Sequence, residues 1–164
     1  MGKLELVIES DNVSIYSPKY DSETQTEFEE FMSDNGELEN PQLKKDFDAI
    51  IAAVKKIIDD CGARENLFRP EGNNIKAIPL CIEQRRGKGV GTLRLYCIRI
   101  SGKILIIGNG GIKRVKRYED DPILLDIINK LRSIEHQIFI GTRKIHADYD
   151  DYQKVKMIIE AITI

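Results

Sequence analysis

The sequence predicts an α+β fold in a single domain, residues 1–164, with a small antiparallel-rich sheet packed on N-terminal helices. Three observations predict it. Residues 92–100 and 103–108 alternate around a tight turn and read as a β-hairpin. Two stretches of helical spacing each open on an Asn-Pro or Asp-Pro pair, Asn40-Pro41 and Asp121-Pro122, the signal for an N-cap followed by the first helical residue. No internal repeat or low-complexity linker divides the chain, and 41% hydrophobic with 32% charged residues is the composition of a soluble globular domain.

In chain order, residues 4–8 and 13–16 read as short strands around an Asp11-Asn12 turn. Ser22 and Gln25 form a weak capping box before Phe28, Phe31 and Met32, which gives a short helix stopping near Asn35-Gly36. A second helix follows from Asn40 to Gly62, with Leu43, Phe47, Ile50, Ile51, Val54, Ile57 and Ile58 along one face. Residues 63–74 read as a loop, and residues 75–84 as a strand interrupted by Pro79, hence an edge or a bulge. A glycine-spaced basic loop, Arg85 to Gly91, leads into the hairpin. After Asp121, Ile123, Leu124, Ile127, Ile128, Leu131 and Ile134 mark a third helix. A strand around residues 138–140 and a last helix after Asp148 complete the prediction.

Charge is unevenly distributed. Residues 1–63 carry 6 Lys/Arg against 15 Asp/Glu, residues 64–118 carry 13 against 3, and residues 119–164 carry 6 against 9. The net charge of −2 thus hides a basic centre between acidic flanks, a surface suited to a polyanion such as RNA. The hairpin concentrates this charge. With Ser101-Gly102 as a two-residue turn, Ile100 lies opposite Lys103, Tyr96 opposite Ile107 and Arg94 opposite Asn109. Leu93, Leu95 and Cys97 then share the face that packs on the second helix, and Arg94, Tyr96 and Ile98 share the other. Gly110-Gly111 lets the chain turn freely before Lys113, Arg114, Lys116, Arg117 and Tyr118. The Arg85, Arg86 and Lys88 cluster enters the hairpin at the Arg94 end, so two basic clusters are expected to converge on one inward-pointing arginine. The plainer alternative is a solvated strand exit, with Arg94 paired to a carboxylate.

The order of helical hairpin, strand, basic loop, Leu93-Arg94-Leu95-Tyr96-Cys97-Ile98-Arg99-Ile100, tight turn, Lys103-Ile104-Leu105-Ile106-Ile107-Gly108 and Lys113-Arg114 resembles the RelE/HigB-like toxins of bacterial toxin–antitoxin pairs. The resemblance covers roughly residues 63–118; the N-terminal strands and C-terminal helices are additions to it. It implies a metal-independent mRNA endonuclease that acts with the ribosome and is neutralised by a cognate antitoxin. By the same resemblance Arg94 is the strand arginine that stabilises the phosphate in the transition state, and Lys113 or Arg114 is the second cation. Tyr118 is the C-terminal aromatic, and Arg85, Arg86 and Lys88 are the basic residues before the hairpin, with Lys116 and Arg117 also on the RNA side. Attack of a ribose 2′-OH on phosphorus needs charge stabilisation and proton transfer, which arginines with Tyr118 or a lysine of lowered pKa can supply.

No metal or cofactor is expected. Gly87-x-Gly89-x-Gly91 precedes a strand rather than a helix and so fails as a nucleotide-binding loop. Asp148, Asp150 and Asp151 near His146 suit a helix start, His136 suits a helix end, and Glu27, Glu29 and Glu30 read as a solvated helix face. Cys61, Cys81 and Cys97 sit in apolar patterns without CxxC spacing and are expected to be buried and reduced in the cytoplasm. With no export segment and no run of 18 apolar residues, neither membrane insertion nor secretion is expected. Beside the ribonuclease stands a second class of function, a non-catalytic module of the same fold that grips a protein or a nucleic acid.

Overall fold

Local capping chemistry sets the helix starts. The Asn40 carboxamide oxygen accepts from the amides of Gln42 and Leu43 at 2.9 and 3.2 Å, and the Asp121 carboxylate accepts from Ile123 and Leu124 at 2.9 and 3.3 Å. The structure, a computed structural model, describes residues 2–72, 74–80 and 90–164. Its helices are α1 (Glu27–Asn35), α2 (Pro41–Lys56), α3 (Pro122–Lys144) and α4 (Tyr152–Ala161). Its strands are β1 (Lys3–Glu9), β2 (Ser14–Lys19), β3 (Arg69–Gly72), β4 (Ile75–Ile78), β5 (Thr92–Arg99) and β6 (Ile104–Lys113). The fold is α+β, as expected.

One six-stranded sheet runs in the order β1-β2-β6-β5-β4-β3. Every neighbouring pair is antiparallel except β2 and β6, which run parallel with Ile15 beside Leu105. Alternation divides the core in two. Ile15, Leu93, Leu95, Cys97 and Leu105 pack against Phe31 of α1 and Leu43, Ile50 and Val54 of α2. Tyr16, Tyr96, Ile98 and Ile106 pack against Leu124, Ile128, Leu131 and Ile134 of α3 and Val155 and Ile159 of α4. Each fully buried Ile or Leu adds about 1.5–3 kcal/mol as an upper figure. The predicted division of faces in the first hairpin strand therefore holds, with Arg94 on the α3 side.

Several expectations are corrected. The capping box of α1 lies one turn later than Ser22 and Gln25: the Thr26 hydroxyl accepts from the Glu29 amide while the Glu29 carboxylate accepts from the Thr26 amide, both at 3.2 Å. The expected loop at residues 63–74 contains β3, and β4 ends at Ile78, before Pro79. There is no strand at residues 138–140. Ile138 continues the buried stripe of Leu124, Ile128, Leu131 and Ile134, so contact with the sheet overrides the β-branched composition and α3 continues to Lys144. His136 consequently sits within α3, not at its end. Cys97 is buried as predicted, while Cys61 is partly exposed in the π-helical turn Ile57–Cys61 that closes α2 before Gly62. Cys81 lies outside the described residues. No helix among the described residues is long and apolar enough to cross a membrane.

Candidate functional site: the open end of β5 and β6

The hairpin register differs from the expected one by two residues at Arg94. The turn is longer, because Arg99 pairs with Leu105 and the Ile100 amide donates to the Ile104 carbonyl at 3.1 Å. A shift between Leu95 and Cys97 then sets Arg94 opposite Gly111 and Thr92 opposite Lys113. A two-residue slip preserves the faces, so Arg94 and Lys113 still point to the α3 side. Gly110 and Gly111 do not release the chain; they belong to β6, opposite Leu95 and Arg94. A Cβ on Gly110 would lie 1.9 Å from the Arg94 carbonyl oxygen, and one on Gly111 would lie 3.3 Å from Leu124 Cδ2. These glycines allow the two strands and α3 to approach closely, which brings the Lys113 end of β6 beside Arg94.

Arg94 is only 5% exposed. Its Nη1 lies 3.6 Å from Glu71 Oε1, and its Nε donates to Thr92 Oγ1 at 3.4 Å. The same Glu71 oxygen is 3.9 Å from Arg69 Nε. Burial, and after it the neighbouring Arg69, lowers the Arg94 pKa from the usual arginine value. Burial, then Arg94, lowers that of Lys113. Arg69, Arg94 and Lys113 thus form one cationic group, drawn from three strands, with Glu71 set among them. Tyr96 lies in the same group: burial first and then Glu71 raise its hydroxyl pKa, while Arg94 opposes them. Among the described residues, Glu71 Oε1, Arg94 Nη1 and Tyr96 Oη are all buried without a hydrogen-bond partner.

The remaining predicted site residues divide between surface and core. Arg114, Lys116 and Arg117 are exposed along the chain leaving β6, and Arg117 pairs with Glu119 at 3.4 Å. Tyr118 instead turns into the core against α3, where its hydroxyl accepts from Arg132 Nη2 at 2.5 Å. That contact occupies the phenol which the sequence had offered for proton transfer. Arg85, Arg86 and Lys88 lie outside the described residues. Inspection of the sequence missed Glu71 and Arg69, because Arg69-Pro70-Glu71-Gly72 reads as loop. The signal available was that Glu71 is one of only three carboxylates in the basic segment 64–118.

Glu29 is exposed as the solvated-face reading of α1 expects, while a second cluster corrects that reading at Glu27. Glu27 is 7% exposed, and its Oε2 accepts from Asn109 Nδ2 at 2.7 Å. Single carboxylate oxygens of Glu23, Glu27 and Glu30 lie within 4.8 Å of one another, a hard-oxygen set of the kind a divalent cation takes. Burial, followed by Glu27 and Glu30, raises the Glu23 pKa, and burial with Glu27 raises that of Glu30. Lys130 opposes both shifts and lies 5.0 Å over the ring of Tyr20, whose pKa burial pushes up to about 12. Tyr20, Glu27, Asn109 and Lys130 border a cavity of about 30 Å³, room for one water. The chain matches no family model, no curated protein and no solved structure, so the chemistry of these two clusters is what speaks for a function.

Proposed function

We propose that this chain is a RelE/HigB-like module that binds RNA in the cytoplasm through the cationic end of β5 and β6 without cutting it. The observation that carries this reading is the Glu71–Arg94 pair beside an exposed run of cations. Lys113, half-buried at the end of β6, and the exposed Arg114, Lys116 and Arg117 beyond it can track a phosphate backbone. Arg94, by contrast, is sheathed and neutralised by a carboxylate at 3.6 Å. With Glu71 seated, that guanidinium is poorly disposed to stabilise the dianionic phosphorane of a cleavage reaction.

Anisotropy of a labelled single-stranded RNA tests the binding. Log K should fall linearly with log salt, and Lys113→Ala/Lys116→Ala/Arg117→Ala should reduce the slope by about 2, given roughly 0.7 per phosphate contact on a single strand. Binding that is absent, or indifferent to salt, overturns the proposal.

The endonuclease reading, a toxin acting on mRNA with the ribosome and masked by an antitoxin, draws support from a different observation. Burial together with Arg94 and Arg69 lowers the Lys113 pKa, as proton transfer by a lysine requires. Expression in a bacterial host separates the two. Growth arrest abolished by Arg94→Ala, and by Lys113→Ala with Arg114→Ala, selects the nuclease. Unaffected growth, with RNA binding intact, selects the module.

A further inference from the structure

We infer that Glu71 occupies the seat of a ligand phosphate, as a stopper carried on an edge strand that the ligand displaces. The inference rests on the reading of this surface as one that binds phosphate chains. The register of β3 against β4 passes from Pro70–Lys76 to Gly72–Ile75, which leaves Glu71 as the extra residue of a bulge. Gly72 follows at φ 113, a backbone conformation that glycine tolerates. The bulge turns the Glu71 side chain inward, until it is 10% exposed, from a four-residue strand held, among the described residues, along one side only. A short edge strand of this kind belongs to the low-stability end of a sheet.

The fit of the carboxylate is incomplete. One oxygen serves both guanidinium groups, at 3.6 Å from Arg94 Nη1 and 3.9 Å from Arg69 Nε, longer than a charge-assisted hydrogen bond. Arg94 Nη1 and Tyr96 Oη are left unsatisfied beside it. One carboxylate therefore offsets only part of the positive charge while donors remain vacant. A tetrahedral oxyanion offers more oxygens than a carboxylate, and a guanidinium fork takes two of them in parallel. With Arg69 and Lys113 at its margin, the seat matches a phosphate of a polyphosphate or phosphodiester chain in both charge and donor number.

Calorimetric titration with sodium tripolyphosphate tests this directly. Glu71→Gln removes the competing charge and should bind the probe about tenfold tighter than wild type, the scale of one charge-assisted hydrogen bond. Adding Arg94→Gln should cancel the gain. The unaltered protein supplies a second measurement, hydrogen exchange with and without tripolyphosphate: the β3 and β4 amides should exchange faster in the loaded protein while β5 and β6 do not. A folded Glu71→Gln that binds no tighter, or β3 amides that slow on loading, overturns the stopper. Should the variant fail to fold, the exchange result decides alone.

Anisotropy with single-stranded RNA on the same proteins separates the two claims. Equal RNA affinity in wild type and Glu71→Gln leaves RNA binding standing and removes the stopper. A tripolyphosphate gain without RNA binding by either protein keeps the stopper and removes the RNA.

Discussion

Replacing Glu71 by leucine should cost far more than breaking an ordinary surface ion pair. The side chains of Arg94 and Glu71 are 6% and 10% exposed, with nitrogen and oxygen 3.6 Å apart. At an effective dielectric near 20 that separation is worth about 4–5 kcal/mol of gross attraction, most of it offset by desolvation while both charges are present. Without Glu71, Arg94 faces Arg69 and Lys113 with Asp46 as its remaining carboxylate influence, so Glu71→Leu should destabilise by about 3–5 kcal/mol. Arg94→Met leaves Glu71 still beside Arg69 at 3.9 Å, and should cost less, about 1–3 kcal/mol. The double variant, with both charges replaced by apolar groups of similar size, should return to within about 1 kcal/mol of wild type. Urea unfolding of the four proteins at pH 7, repeated in 1 M salt, reads the cycle. Salt should change the coupling little, because a buried pair is poorly screened. A Glu71→Leu cost below about 1 kcal/mol would refute the reasoning, since that is the behaviour of a solvated pair.

Three further outcomes are expected. Lys113→Met removes a cation held near Arg94 and Arg69, so below its lowered folded pKa it should stabilise the fold by some tenths of a kcal/mol while weakening RNA binding; paired unfolding and anisotropy data check both signs. Gly110→Ala sets a methyl 1.9 Å from the Arg94 carbonyl, so the strands must part, and a loss above about 3 kcal/mol with faster exchange of β5 amides is expected. Glu23 has a folded pKa above its unfolded value of 4.5, so its contribution is present below 4.5 and lost as pH rises through the folded pKa; Glu23→Gln should flatten that part of the stability–pH curve. A variant curve parallel to wild type would exclude the carboxylate cluster as its cause.

What the sequence disclosed was set by the range of the interactions involved. Asn40-Pro41 and Asp121-Pro122 announce helices because a cap bonds amides two and three residues away. The division of faces among Leu93, Arg94, Leu95 and Tyr96 follows from strand alternation alone. The register of Arg94 against β6 was not legible, because it depends on a longer turn and on a shift near Tyr96 that only the neighbouring strands impose. Glu71 was hidden for a related reason. Pro70 and Gly72 disfavour a strand, and β3 exists only because β4 offers it an edge. Tyr118 stands a little nearer the second cation along the chain than the family's C-terminal aromatic, and the α3 side of the core draws its ring inward.

The parallel contact of β2 with β6 has a consequence for synthesis. Ser14, Ile15 and Tyr16 find their partners at Ile104, Leu105 and Ile106, some ninety positions later. While the chain emerges from the ribosome at roughly 5–20 residues per second, the β1–β2 hairpin must wait several seconds with one edge bare. A nascent chain halted before Ile104 should therefore leave those N-terminal amides open to exchange, and release of the remaining segment should close them.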